Sequence, residues 1–269
     1  MSDSAPRLEA FPTMPRVNQM RFGDLRDSLL QGLADFGRAP IYGLAFAAVF
    51  SLIGLVVVLS LAAWDMPWLI YPVAIGFPLV GPFAAVGFYQ ISREFEAGKV
   101  PSWRGIFSVM WQQRRRELGW MAFVLLFFFW VWMYQVRLLM ALLLGRLSFS
   151  SFEGFLSVTL TTPEGLVFLL IGHLVGAALA LLLFSITVVS MPLLLERDID
   201  AVTAIITSIR VVAQSPLVML GWGLAVTLSV LAACVPFFLG LLIVLPVLGH
   251  TTWHIYRKAL THAPTGRAS

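Results

Sequence analysis

Long apolar runs alternate along this chain with short polar stretches that carry nearly all of its charge. Six runs stand out: Ile41–Ala63, Leu69–Ser92, Gly119–Leu144, Gly165–Leu195, Pro216–Val235 and Phe237–Tyr256. About 20 apolar residues in a helix cross a hydrocarbon core of roughly 30 Å. The pattern therefore predicts six transmembrane helices. The second run holds Pro72, Pro78 and Pro82 with Gly76, Gly81 and Gly87, so a kinked or broken helix is expected there. Freed backbone groups survive in lipid only under cover of neighbouring helices, which argues for a central position. Gly172, Gly176 and Ala180 in the fourth run repeat every four residues, a spacing that lets another helix approach closely.

The polar stretches have a period of their own. Phe22, Leu25, Leu29, Leu33 and Phe36 step by three and four, with Asp24, Asp27, Gln31, Asp35 and Arg38 on the other face. Trp103, Ile106, Phe107, Met110 and Trp111 form a second stripe, and Ile199, Val202, Ile205, Ile206 and Ile209 a third. Each predicts an amphipathic helix lying in the membrane interface. Residues 145–164 are a loop of mixed polarity with room for a short interfacial helix. Residues 1–20, with three prolines and no apolar period, read as a disordered tail, and residues 261–269 as a second tail. Residues 21–260 then form a single membrane domain.

Composition supports this class. The chain is 59% hydrophobic and 12% charged, against about 45–50% and 25% for soluble domains. A pI near 9.6 would suit a nucleic-acid partner, but the distribution of charge points elsewhere. With the amino terminus inside, 16 of the 18 lysines and arginines fall on the inner side, leaving Arg137 and Arg146 outside. That asymmetry predicts both termini in the cytoplasm and contact with anionic headgroups of the cytoplasmic leaflet, with Arg114, Arg115 and Arg116 as the densest candidate for lipid or partner contact. No nucleic-acid role is expected.

The chain also echoes itself. Asp24 precedes Pro40 by the interval that separates Asp200 from Pro216, and Pro82 precedes Arg93 as Pro246 precedes Arg257. Tyr89 then aligns with Trp253 and Ile91 with Ile255. Each module would be an inner-surface helix followed by a transmembrane hairpin. Three such modules entering from one side make a parallel repeat.

Candidate chemistry concentrates in Gly249–Lys258, G-H-T-T-W-H-I-Y-R-K. In a helix His250, Trp253, His254 and Arg257 share one face. Two histidines at i, i+4 match the spacing of a helical metal pair, but two ligands are not a site. No carboxylate lies in the last run, and the nearest would come from the inner-surface helices, such as Asp24, Asp35 or Glu196. His173 belongs to the outer third of the fourth run and His250 to the inner third of the last, too far apart in depth to ligate one haem. Cys234 is alone and reads as a small core hydrophobe. No carboxylate falls convincingly inside a run, which weighs against a proton-driven pump. The broken second run is the feature that would suit a solute path. Nucleophile elbows, phosphate loops and zinc-protease signatures are missing. Ser185, Thr187 and Ser190 read as hydroxyls bonded to their own backbone.

The inner helix Phe22–Pro40, the segment Leu193–Asp198 with Thr207–Ser208 downstream, and the G-H-T-T-W-H-I-Y-R-K ending together resemble the proteobacterial integral membrane proteins grouped as domain of unknown function 2189. The likeness would span about residues 20–260, with the ending its most specific part. It implies a bacterial inner membrane and no particular activity. Some members are labelled cytochrome c oxidase subunit I; this chain has half the spans of such subunits and lacks their full set of histidine ligands.

The expectation is thus an all-α, polytopic membrane helix bundle: six transmembrane helices plus three inner-surface amphipathic helices. It would be non-enzymatic and without a cofactor, working through helix packing and contacts with the lipid bilayer, a protein partner or a second copy. A small-solute transporter or channel is one alternative, and a haem or metal-binding protein using His250 and His254 another.

Overall fold

The computed structural model describes residues 15–62, 85–113, 117–145 and 152–261. Among them the chain is helical, with no β-strand longer than the single bridge between Val17 and Leu260. In chain order the helices are α1 (Phe22–Arg38), α2 (Pro40–Ala62), α3 (85–96), α4 (Trp103–Gln113) and α5 (Glu117–Leu139), which runs on into a π-turn at Met140–Leu144. There follow α6 (Phe152–Thr161), α7 (Pro163–Thr187), α8 (Ser190–Glu196), α9 (Ala201–Gln214), α10 (Pro216–Cys234) and α11 (Leu241–Ala259).

Both predicted proline starts are present, and they share one geometry. Ala39 before Pro40 has φ −143° and ψ 59°; Ser215 before Pro216 has φ −134° and ψ 58°. The proline ring excludes its predecessor from the helical region, so each helix stops there and a new one starts. At Ala39 the axis turns by 98° into Pro40–Val56. The starting aspartates act differently. Asp24 accepts from the Arg21 N–H at 2.8 Å from inside the first turn, whereas Asp200 caps α9 through the Thr203 N–H at 2.8 Å.

Three helical stretches among the described residues are long and apolar enough to cross a membrane: Gly119–Leu144, Pro163–Glu196 and Pro216–Cys234. The bent pair α1–α2 is a fourth if counted as one span. These correspond to the third, fourth, fifth and first expected runs. The second run lies outside the described residues up to residue 84, with Pro72, Pro78, Pro82, Gly76 and Gly81; its remainder is α3. The sixth run departs from expectation. Residues 235–240 form turns, and the helix begins at Leu241. Phe237 and Phe238 hold positive φ of 50° and 65°, a conformation bulky residues seldom adopt. Packing explains the second of them: the Phe238 ring lies against Gly54, where a Cβ would come within 2.4 Å of it.

The core sits at one end, here called the head. There all of α8 except Glu196 is buried, packed with α9, Met219 and Trp222 of α10, and Trp253, Ile255 and Tyr256 of α11. By contrast, no residue of 123–143 and none of 166–187 is buried. The amphipathic stripes are divided between core and surface: Leu25, Ile106, Met110, Ile199 and Ile205 turn to the core and other members are exposed. On α1 the buried residues are Ser28, Gly32 and Asp35, while Phe22, Leu29 and Leu33 are exposed. On α9 Ala201, Ala204, Thr207 and Ser208 are buried and Val202 and Ile209 exposed; on α4 Ile106 is buried and Trp103, Phe107 and Trp111 exposed. Small and hydroxyl residues at the contacts allow the close approach that membrane helices use in place of hydrophobic burial.

Two expectations are corrected. Residues 15–20, counted with the amino-terminal tail, are pinned to the end of the last helix and to the α9–α10 junction: Asn18 N–H donates to Ala259 O at 2.8 Å, Thr261 N–H to Arg16 O at 3.0 Å, and Met20 N–H to Ser215 Oγ at 2.8 Å. The tight approach expected at Gly172, Gly176 and Ala180 is not made. A Cβ on Gly172 would meet only Leu139 at 3.9 Å, and one on Gly176 only Trp132 at 4.0 Å. Close approach occurs instead where α1, α2 and α3 meet α11. A Cβ on Gly32 would stand 2.3 Å from Thr251 Oγ1, on Gly43 2.9 Å from Pro246, and on Gly249 2.5 Å from Phe88. The span hydroxyls behave as expected: Ser185, Thr187 and Ser190 donate to Leu181 O, Leu183 O and Ile186 O. Ser208 Oγ accepts the Val189 N–H freed between α7 and α8, at 3.1 Å.

Candidate functional site

The four singled-out residues of α11 lie together in the head, and helices far away in sequence supply their partners. His250 Nδ1 is 2.8 Å from Ser92 Oγ on α3. His254 Nε2 is 2.7 Å from Asp35 Oδ2 on α1, and its Nδ1 is 3.6 Å from Glu96 Oε1 at the end of α3. Arg257 bridges two carboxylates, with Nε 3.0 Å from Glu96 Oε2 and Nη1 2.6 Å from Glu196 Oε1 on α8. Tyr256 donates its hydroxyl to the other oxygen of Glu196. Lys258 is 3.5 Å from Asp27 and donates to Asp24 O at 3.3 Å. The last helix is thus tied to α1, α3 and α8 by paired charges.

Burial makes these pairs consequential. His250 is 1% exposed and Trp253 0%, so Trp253 belongs to the core and not to a lipid-facing girdle. Its ring stacks on Tyr89 at 6.5 Å, and Phe88 meets the His250 ring edge-on at 5.8 Å. The side chains of Asp35 and His254 are 6% and 8% exposed. Burial alone raises the Asp35 carboxyl, but hydrogen bonds from His254 and Ser92, with the charge of His254, outweigh it and hold the carboxyl below the usual carboxylate range. A buried carboxylate without such partners would protonate. His250 Nε2 and Trp253 Nε1 find no hydrogen-bond partner among the described residues.

Beside the pairs a cavity of about 480 Å³ opens between α1, the end of α3 and α11. Asp35, Arg38, Phe95, Glu96, His254 and Lys258 contribute to its wall. Arg38 lies over the Phe95 ring at 5.7 Å and only 3.7 Å from Asp35, with its side chain 63% exposed.

Asp35 and Glu196, which the sequence offers as acidic neighbours of the last helix, are its partners here; Asp24 contributes a carbonyl. Glu96 and Ser92 were not singled out. Their signal lay in the repeat, which aligns Arg93 with Arg257 and so sets the end of α3 beside the end of α11. Arg114, Arg115 and Arg116 lie outside the described residues. His173 is apart from the cluster, on an exposed face of α7, its Nδ1 2.7 Å from Leu169 O. Among the described residues no group of three His, Cys, Asp or Glu side chains is placed to hold a metal ion.

An all-helical chain with several exposed apolar helices and a charge-paired head is an integral membrane protein in contact with the lipid bilayer. A family model described as "Predicted integral membrane protein (DUF2189)" matches residues 70–196, a little under half of the chain. That match takes in α3 to α8 and stops short of both α1 and the G-H-T-T-W-H-I-Y-R-K ending that carried much of the resemblance. No curated protein and no solved structure matches.

Proposed function

We propose that this chain is a non-enzymatic, six-span protein of a bacterial inner membrane, with both termini in the cytoplasm, acting through lipid and protein contacts at its head. The observation that carries the reading is the division of labour in α1, α4 and α9. Each exposes large apolar side chains, Phe22, Leu29 and Leu33 on α1, Trp103, Phe107 and Trp111 on α4, and Val202 and Ile209 on α9, as helices seated in a membrane interface must, while the opposite face of α1 packs Ser28, Gly32 and Asp35 inward. The segment 69–92 and the last helix complete six crossings, and the lysine and arginine asymmetry sets the orientation.

Arg114, Arg115 and Arg116 follow the exposed Phe107 and Trp111 of α4. A basic cluster next to seated aromatics suits anionic headgroups. Each such charge contributes about 1 kcal/mol at an anionic surface, so replacing all three arginines with Gln should weaken association with phosphatidylglycerol by about 3 kcal/mol, or roughly a hundredfold. Lipid co-purification and vesicle partitioning measure this; unchanged association contradicts the reading. A metal-ion site has no third ligand to build on among the described residues. A solute path would rest on prolines that lie outside them.

A further inference from the structure

We propose that the cleft between α5 and α7 binds a lipid-soluble ring compound of the quinone and quinol class, with its oxygens on Gln135 and His173. The site lies away from the head and does not depend on the ion pairs there.

The cleft exists because α5 does not close on the small residues of α7. Phe128, Phe129 and Trp132 of α5 and Gly176 and Ala180 of α7 line a cavity of about 340 Å³, with Leu183 toward one end. That volume falls in the range of small-ligand sites, whose walls are likewise apolar and aromatic. A cavity with such walls stays dry and takes an apolar guest. Both helices belong to stretches long and apolar enough to cross a membrane, so the guest comes from the bilayer. Three aromatic side chains suit a flat ring, which stacks on their faces or meets their edges.

Polar groups at the other end select among lipid-soluble guests. Trp132 Nε1 stands 4.0 Å from a would-be Cβ on Gly176, and Leu139 stands 3.9 Å from one on Gly172. The two helices therefore run antiparallel. Gln135 falls between these contacts on the same face of α5, three residues beyond Trp132. His173 is three residues before Gly176 on α7, next to Gly172. Both side chains are thus brought to one end of the cleft.

The amide oxygen and nitrogen of Gln135 are buried and find no hydrogen-bond partner among the described residues, a costly state in apolar surroundings. A hydrocarbon tail would leave them so. A ring carbonyl would accept from Gln135 Nε2, and a ring hydroxyl would donate to Gln135 Oε1. His173 Nδ1 lies 2.7 Å from Leu169 O. A carbonyl only accepts, so Nδ1 carries the proton and Nε2 of the neutral ring is an acceptor. It can accept from a hydroxyl but has nothing to offer a carbonyl. The pair therefore favours the quinol over the quinone.

The full-length protein in phosphatidylcholine nanodiscs is equilibrated with decylubiquinone or decylubiquinol, with decylbenzene as the oxygen-free probe. Ligand retained in excess over empty nanodiscs is extracted and measured. Both oxygen-bearing probes should be retained to saturation, and decylbenzene more weakly. Gln135→Leu should weaken retention of both by up to about tenfold, the worth of one hydrogen bond. His173→Leu should weaken the quinol by a similar factor and leave the quinone nearly unchanged, a split that a merely structural role would not produce. Gly176→Leu fills the cleft and should abolish retention; Ala180→Leu does the same if the first variant fails to fold. Leu224→Ala, on an exposed face of α10, should change nothing. No retention beyond empty nanodiscs, or retention indifferent to the cleft-filling variants, overturns the proposal. So does retention lost in those variants but indifferent to Gln135→Leu and His173→Leu, which would mean that the cleft holds a hydrocarbon chain only.

Discussion

At the scale of single residues, the head depends on fit as much as on charge. Gly32 has Thr251 against it from α11, so close that an added methyl would fall 2.3 Å from the hydroxyl and 2.7 Å from the backbone nitrogen. Backbone cannot swing aside as a flexible side chain can. Gly32→Ala should therefore cost at least the 1–3 kcal/mol typical of overpacking. Gly23 lies on the same helix with nothing within 4 Å of its would-be Cβ. Gly23→Ala should be neutral or stabilising by up to about 1 kcal/mol, because alanine loses less backbone freedom in a helix. Thermal midpoints in one detergent compare the pair; equal effects would mean that α1 does not press on α11. The sequence marks both glycines and separates neither, since the difference lies in what stands opposite. His254 and Asp35 were legible one at a time, as a histidine on an apolar helix and an acid on a polar face. The sequence offers Asp24, Asp35 and Glu196 alike as acidic neighbours of the last helix; that Asp35 is the partner of His254, across 219 residues, follows from the packing.

At the scale of elements, hydrophobic periodicity located α1, α4 and α9 and the starts at Pro40 and Pro216. It did not say which face packs. In a soluble protein the large apolar face turns inward; here Ser28, Gly32 and Asp35 of α1 are buried while Phe22, Leu29 and Leu33 face out, and α9 buries Ala204 and Ser208 beside Val211 and Val212 with Val202 and Ile209 outside. The same physics explains why Gly172 and Gly176 misled. Small residues permit a close approach but do not supply the partner, and α5 stands nearly 4 Å from their would-be Cβ atoms. The outward stripes lead to a direct prediction. In single-tryptophan variants reconstituted with brominated lipid, Trp111 on α4 should be strongly quenched and Trp253 on α11 should not. They are 61% and 0% exposed. Comparable quenching of the two would remove the interfacial seat of α4.

At the scale of the whole molecule, the internal echo becomes a contact. Tyr89 and Trp253, aligned by the repeat, stack on each other. Along α3 and α11 the contacts advance together, from Phe88 against Gly249 to Ser92 with His250 and Glu96 with His254 and Arg257. The two helices therefore run parallel. Between α1 and α11 the contacts run in opposite directions: Lys258 meets Asp24 and Asp27, Gly32 meets Thr251, and Gly43 meets Pro246. The first and last modules of the chain are thereby closed onto each other around paired charges. The sequence predicts modules and does not predict this closure, because each charge taken alone reads as belonging to a solvated inner surface.

The central claim is that the ionisable cluster of the head is a packing device joining the two ends of the chain. A double-mutant cycle on Asp35 and His254 tests it most directly. Asp35→Asn, His254→Gln and the double variant are unfolded thermally or with denaturant beside the parent protein in one detergent. Breaking a buried pair from one side strands a charge, so each single change should cost about 3 kcal/mol or more. The double variant should recover part of that loss, giving a coupling energy of about 1–3 kcal/mol. Additive effects with no coupling, or single variants as stable as the parent, would contradict the account.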